Sequence, residues 1–350
     1  MWWKKIIKNK NKPYVIAEAG VNHLGSLELG ERLIKAAKDS GADAIKFQSY
    51  KADKLCTKDA PRFWDWEGEV KKDGSQLDSY SLLDSFGKNE HFGLKKLCDK
   101  YQIEFLSTPF DREAADYLDE IGAQLFKIAS CDITNLYFLE YVAKKGKPML
   151  LATGAANLEE IEEAVNTIES AGNNKIVVMH CNLCYPTKDE DANLRMIKHL
   201  KKVFPQYPIG LSDHTMNLMA PAVAYATGAR VFEKHFTVDK TLDKSADHWL
   251  SADPADLTKI IENINIVRTL LGRYKKRSTE SEELARQNAR RSVVAIRKIV
   301  AGEVLSLDNI DCKRPGTGIS AKYFKNILGK KAKVDIGHDA LLSHDMIEEM

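Results

Sequence analysis

The stretch PMLLATGAANLEEIEEAVNTIESAG, residues 148–172, holds one complete structural unit. PMLLATG is a short apolar run that reads as a buried strand. The segment after it has the 3.6-residue period of a helix. Asn157 stands as its N-cap, acids fill its first turn and Gly172 supplies its stop. Working outward, the same rhythm recurs. Further apolar runs are YVIAEAG (14–20), AIKFQSY (44–50), EFLSTPF (104–110), LFKIAS (125–130), KIVVMHC (175–181), PIGLSDH (208–214) and RVFEKHF (230–236). Eight strand–helix units in about 260 residues is the count and size of a (β/α)8 TIM barrel. A doubly wound open sheet shares the alternation. No G-x-G-x-x-G follows YVIAEAG, however, and eight units close naturally into a ring.

After residue 272 the texture changes. Residues 273–291 are rich in charge and read as a linker. From Ser292 to Met350, short runs such as SVVAIRKI and KAKVDI alternate with turn signals, which predicts a small β-rich domain. The α/β barrel is therefore expected over 1–272 and the small domain over 292–350. One connection is anomalous. About 37 residues separate AIKFQSY from the next helical pattern, far beyond the usual strand–helix loop. That segment carries Trp64 and Trp66 and reads as a lid or as a substrate or dimer contact, against the plainer reading of a packed surface excursion.

Composition excludes several function classes. The 52 basic and 50 acidic residues leave a formal charge of +2 with the signs mixed, which is no nucleic-acid footprint. No apolar run is long enough for a membrane span, and the start MWWKKIIKNKNKP lacks the apolar core of a secretory signal. Six cysteines in such a chain read as reduced thiols in a cytoplasmic protein. Cys181 and Cys184 form one C-x-x-C with no second pair at zinc-finger spacing, so packing at a strand end is the preferred reading.

In a TIM barrel the C-terminal strand ends face the active site. Reading those ends gives Glu18, Lys46 with Gln48, Thr108 with Phe110, Lys127 with Ser130 and Asp132, Thr153, Asn182 with Tyr185, the trio Ser212, Asp213 and His214, and Glu233 with His235. Residues two apart share a face, so Ser212 pairs with His214 while Asp213 points away and braces a neighbour. A lone strand-end histidine is usually structural; convergence from eight strands changes that. Lys46 and Lys127, with Ser130, Thr153 and Ser212, make an ammonium-and-hydroxyl cradle for a phosphate or carboxylate. His214 and His235 end strands about 4.8 Å apart and suit one divalent ion with open positions. The alternative is that one of them only hydrogen-bonds a carboxylate such as Asp213.

The motifs IAEAGVNHLGS, IKFQSY, STPFD, FKIAS, LATG, HCNLCYPT, IGLSDHT, EKHFT and KRPGTGI occur in order. In these the chain resembles the sialic acid synthase family, which includes N-acetylneuraminate, legionaminate and pseudaminate synthases. The likeness runs from about residue 13 to the end. It implies that the C-terminal segment is an antifreeze-like (SAF) domain. It implies condensation of phosphoenolpyruvate (PEP) with an open-chain 2-acetamido sugar, such as N-acetylmannosamine or a di-acetamido dideoxy hexose. The product is a nine-carbon 2-keto-3-deoxy acid, with phosphate released.

By the same resemblance, Lys46, Lys127, Ser130 and Ser212 contact PEP. Glu18, Asp132, Tyr185 and Asp247 stand near the reacting sugar or water, and Gln48, Thr108, Phe110 and Asn182 are candidate sugar contacts. His214 and His235 hold a divalent ion, commonly Mn or Mg, and no organic cofactor is needed. The resemblance further implies a domain-swapped homodimer in which Arg314 reaches the sugar in the partner's site. Three positions depart from the family pattern: Asp132 replaces the more frequent glutamate, Leu183 a polar residue, and Thr317 an asparagine. Two other readings compete. A synthase of shorter 3-deoxy-keto acids would lack the C-terminal domain, and a carbohydrate- or ice-binding protein would not need the intact polar rim.

Overall fold

The computed structural model describes residues 2–8, 11–64, 74–242 and 247–348. It divides into two compact units, Met1–Gly272 and Arg273–Met350. The first holds strands β1 (Tyr14–Gly20), β2 (Ala44–Ser49), β3 (Glu104–Pro109), β4 (Phe126–Ile128), β5 (Met149–Ala152), β6 (Ile176–Cys181), β7 (Ile209–Asp213) and β8 (Val231–His235). All the ladders between them are parallel, in the order β3-β2-β1-β8-β7-β6-β5-β4, and β3 and β4 at the two ends of that order are also in contact. This is a (β/α)8 barrel, and each strand end falls within two residues of its expected place.

Ten helices of this unit carry the labels used below besides α1 (Trp2–Lys8): α2 (Leu27–Asp39), α3 (Ala52–Leu55), α4 (Gln76–Ser81), α5 (Lys88–Tyr101), α6 (Arg112–Glu120), α7 (Leu136–Ala143), α8 (Leu158–Ser170), α9 (Met196–Val203), α10 (Ala220–Thr227) and α11 (Pro254–Leu271). Helix α8 shows why they form where they do. Asn157 accepts a hydrogen bond from the Glu160 amide, and the Glu160 carboxylate accepts one from the Asn157 amide, so two otherwise orphaned donors are satisfied. Ile161, Ala164, Val165 and Ile168 then turn one buried face toward the sheet.

Pleat alternation sorts the strand residues into two sets. Val15, Ala17, Ile45, Phe47, Leu211 and Phe232 face outward into the core shared with the helices. Tyr14, Ile16, Ala44, Leu106, Val177 and Val231 form the inner cluster, and Ile6 of α1 packs into it with Trp3 alongside. Helix α1 thus fills the N-terminal mouth of the barrel. Two residues further along five of the strands the inward set turns polar: Ile16 is followed by Glu18, Ala44 by Lys46, Leu106 by Thr108, Leu125 by Lys127 and Val231 by Glu233. The apolar plug at one end and the polar rim at the other come from the same period-two pattern.

Gly210 stands opposite Val231 in the pairing of β7 with β8. A Cβ there would lie 2.8 Å from the Val231 carbonyl oxygen and 3.1 Å from Met179 Cγ. A buried strand yields little to such a clash. Gly210→Ala is therefore expected to cost about 1–3 kcal/mol, seen as a lower urea midpoint. A midpoint equal to the parent's would show that the two strands separate freely.

The second unit contains α12 (Glu283–Asn288), the antiparallel pair β9 (Ser292–Ala295) and β10 (Ile310–Lys313), and α13 (Phe324–Ile327). Val293, Ile299, Leu305, Ile310, Ile336 and Leu342 lie in its own core. The run KAKVDI, expected as a strand, makes isolated bridges instead, pairing Lys331 with Val304, Ala332 with Ile347 and Ile336 with Ile299. Gly329 and Gly302, both at positive φ, turn the chain beside it. No helix among the described residues is long and apolar enough to cross a membrane.

Candidate active site

A cavity of about 770 Å³ opens at the C-terminal ends of the barrel strands. A larger groove of about 940 Å³ runs over α7 and α8, but carboxylates such as Glu140, Glu159 and Glu163 dominate it and no buried cation or imidazole joins them. The polar rim converges on the strand-end cavity. Glu18, Lys46, Gln48, Thr108, Phe110, Lys127, Ser130, Asp132, Tyr185, Ser212, His214, His235 and Asp247 all line it.

Two buried lysines occupy its floor. Lys46 Nζ lies 2.7 Å from Glu18 Oε2, donates to Thr108 Oγ1 at 2.9 Å and stands 3.8 Å from Glu233 Oε1. Lys127 Nζ is 3.5 Å from the same Glu233 oxygen, to which Ser212 Oγ donates at 3.0 Å. Gln48 donates to the other oxygen of Glu18 at 3.2 Å. An ammonium with no counter-charge would be costly at this depth, and the two carboxylates offset that cost. Their own states diverge. Burial raises the Glu18 carboxyl to about 7 despite the pull of Lys46, and the nearby Glu233 pushes the same way. Burial also works against ionised Glu233, but Lys127 and Lys46 outweigh it and hold this carboxyl below its ordinary value. Glu18 therefore exchanges a proton near neutrality while Glu233 stays charged. Burial likewise raises Asp247 to about 6 and shifts Asp132 upward.

Ser130 is placed by close packing. Its Oγ accepts a hydrogen bond from the Gly154 amide at 3.0 Å. A Cβ on Gly154 would lie 2.7 Å from that oxygen and 3.0 Å from the Leu183 amide nitrogen, so the approach needs glycine.

The two histidine rings lie with centroids 5.3 Å apart, and the Tyr185 ring packs against both, at 4.1 Å from His214 and 5.7 Å from His235. His214 Nδ1 bonds the Asn182 carbonyl oxygen at 2.7 Å, which leaves Nε2 as the nitrogen available for a ligand. His235 Nδ1 is buried without a hydrogen-bond partner, 3.5 Å from Asp247 Oδ2. Burial, reinforced by His214, drives its pKa far down, so the ring is neutral. A neutral imidazole with an unsatisfied nitrogen, next to a second imidazole, suits a divalent cation. Among the described residues no cluster of three or more His, Cys, Asp or Glu is preassembled. The protein would thus supply two nitrogen donors and leave the other positions to water or substrate.

Some expected residues lie elsewhere. Thr153 follows the end of β5, and its hydroxyl donates to the Met179 carbonyl oxygen at 3.0 Å, so it does not line the cavity. The Asn182 side chain donates to the Asp191 carbonyl oxygen at 2.9 Å, and only its main chain serves the site, through His214. Asp213 turns outward and braces Lys234 at 2.8 Å. Arg314 is exposed in the second unit, just past β10. All six cysteines carry free thiols; Cys181 is buried on the cavity wall and Cys184 is exposed.

The strand-end reading put Glu233 in the rim beside His235 but gave it no role, and the structure makes it the shared partner of Lys46 and Lys127. Its signal was its position two residues before His235, on the same face of β8. The long segment after β2 is also part of the site. Tyr50, Phe63, Trp64 and Tyr80 from it line the cavity, while Trp66 lies outside the described residues.

A barrel with cations, carboxylates and imidazoles gathered at the C-terminal strand ends defines an enzyme of the (β/α)8 class. The chain belongs to the NeuB family, whose model matches residues 33–276, and an SAF domain matches residues 290–348. It is 43% identical to an uncharacterized protein of Methanocaldococcus jannaschii, over 96% of this chain and 95% of that one. It is 40% identical to the N,N'-diacetyllegionaminic acid synthase of Campylobacter jejuni, over 95% of this chain and 99% of that one. A solved N-acetylneuraminic acid synthetase from Leptospira borgpetersenii superposes with a TM-score of 0.70, at 38% identity over 79% of this chain and 90% of that one.

Proposed function

We propose that the enzyme condenses PEP with the open-chain aldehyde of a 2-acetamido sugar, giving a nine-carbon 2-keto-3-deoxy acid and phosphate. The observation that carries this reading is the pairing of a two-lysine floor with a two-histidine wall in one cavity. PEP brings a phosphate and a carboxylate, and Lys46, Lys127, Ser130 and Ser212 offer ammonium groups and hydroxyls to them. The lysines are already held by Glu233, so they are positioned before substrate arrives. A second substrate fixed opposite, against Gln48, Thr108 and Phe110, makes carbon–carbon bond formation effectively intramolecular.

In the reaction, PEP C3 attacks the aldehyde carbon, whose oxygen takes a proton and becomes a hydroxyl. Water adds at C2 and gives up a proton, and loss of phosphate leaves the keto group. Glu18, with its carboxyl near 7, is suited to take or give the proton at neutral pH. Asp132 and Asp247 line the same space, which supports a part for them in orienting water. Burial raises the Tyr185 phenol well above its ordinary value, so it stays a donor. A divalent ion held by His214 and His235 would supply Lewis-acid polarisation of the aldehyde oxygen. The proposal extends to a cytoplasmic, domain-swapped homodimer in which Arg314 of one copy serves the cavity of the other; this part rests on family resemblance.

The test is phosphate release by purified protein with PEP, manganese and a panel of 2-acetamido sugars, with the product examined by mass spectrometry. Sugar-dependent release with a nine-carbon product is expected. Release from no sugar in the panel would overturn the proposal.

A further inference from the structure

We propose that Asn135 is a positioning residue for the reaction: its side-chain amide fixes the direction of the Asp132 carboxylate, with the start of α7 as the anchor. The inference rests on the function just proposed, in which Asp132 orients water, and it adds a residue outside the cavity lining.

Asp132 ends a single helical turn, Ser130–Asp132, that follows β4. Its side chain is buried and lines the cavity. The terminal torsion of an aspartate is broad, so burial alone does not decide where the two oxygens point. Asn135 Nδ2 donates to Oδ1 at 3.1 Å. Among the described residues, the other side-chain contact of this carboxylate is the Cys131 thiol, a weak donor 3.9 Å from Oδ2. One oxygen is thus tied, and the other keeps lone pairs for water. Burial pushes the Asp132 carboxyl above its ordinary value, and the Asn135 bond is the leading influence against that rise.

Asn135 is itself firmly held. Its main-chain N–H donates to the Asp132 carbonyl oxygen at 3.0 Å, and its own carbonyl oxygen accepts from the Leu139 amide at 3.0 Å. Its side-chain oxygen accepts from the Phe138 amide at 3.3 Å and so caps α7. Phe138, Leu139, Val142 and Ala143 are buried, so the start of this helix cannot shift without disturbing the core. The two ends of one amide group therefore serve different partners: the oxygen holds the helix and the nitrogen holds the carboxylate. The reach of an aspartate, about 1.5 Å shorter than that of a glutamate, keeps the carboxylate beside the helix start.

The two roles can be separated. Serine and aspartate cap helices as asparagine does. Serine is too short to reach the carboxylate, and aspartate replaces the donor with a second negative charge. Neither change removes the cap.

The experiment measures kcat and the KM for PEP with manganese and whichever 2-acetamido sugar the parent turns over. Asn135→Ser is expected to lower kcat about 10-fold and Asn135→Asp about 100-fold, while the KM for PEP stays within about two-fold. Urea midpoints of both variants should match the parent's, because the cap is retained. Added to Asp132→Ala, Asn135→Ser should change kcat no further, since its effect runs through that carboxylate. A parent-like kcat in both variants would overturn the inference and leave the PEP condensation standing. So would a kcat loss that comes with a lowered urea midpoint, or one that persists in full beside Asp132→Ala. A parent inactive with every sugar would remove the proposed function, and this inference with it.

Discussion

His214→Ala is expected to lower sugar-dependent phosphate release by about a thousand-fold. Lewis-acid polarisation is worth several kcal/mol, and about 4 kcal/mol corresponds to three decades in rate. Two independent contacts hold the imidazole. Its Nδ1 is taken up by the Asn182 carbonyl oxygen and its ring is packed against Tyr185, so the remaining nitrogen has a fixed direction. Alanine removes the donor and leaves the PEP floor intact, because Lys46 and Lys127 are held by Glu18 and Glu233 and not by His214. Turnover should therefore collapse while PEP binding, followed by calorimetry, changes little. A manganese titration supplies a second reading: activation of the parent should saturate, and the variant should show no such response. Parent-like turnover in His214→Ala would exclude the two-histidine centre.

Lys46→Met should destabilise the protein by about 3–5 kcal/mol near pH 8, the usual cost of leaving a buried charge without its partner. The loss should shrink toward pH 5. The sign follows from Glu18. Its carboxyl sits at about 7 in the folded protein, above the ordinary 4.5, and Lys46 is the main influence pulling it down. Without Lys46 it rises further. A carboxyl raised on folding contributes stability that is complete below its unfolded value and is lost as pH climbs through its folded value. At about pH 5 Glu18 takes up a proton and no longer needs the ammonium, whereas at about pH 8 it must ionise unpaired or stay protonated at a cost. Urea midpoints at the two pH values measure the difference. Adding Glu18→Gln to Lys46→Met should recover most of the high-pH loss. A loss of equal size at both pH values would mean that Glu18 is not the group left exposed.

The barrel was legible because its strands are short, apolar and regularly spaced, and because helices such as α8 carry their caps in sequence. Less regular elements gave weaker signals. Helix α1 draws its place from Ile6 fitting among inward-facing strand residues that are distant in sequence, which no local period reports. Helices α3 and α4 are too short to show a period. At the site, strand ends and pleat parity located most of the lining, since parity decides which side chains turn inward. It failed where the chain leaves the strand. Thr153 and Asn182 follow β5 and β6, and there local carbonyl oxygens decide where their polar groups go. Glu233 was read in the rim without a role for a different reason. A carboxylate inside an apolar strand announces itself only once Lys46 and Lys127 are seen on either side of it.

The pairing of β7 with β8 carries a further consequence. Ser212 stands opposite Glu233 and Asp213 opposite Lys234, so each face of this strand pair has its own polar match. Parallel strands made mostly of small and branched apolar residues hold little information about alignment. A slip of one residue would set Asp213 beside Glu233 and leave Lys234 without its carboxylate. The cost of that misalignment is electrostatic and falls while the barrel is closing, before any substrate is present. The SDH and EKH motifs therefore favour the observed register of β7 against β8 through their own polar pairs, apart from any part they take at the site.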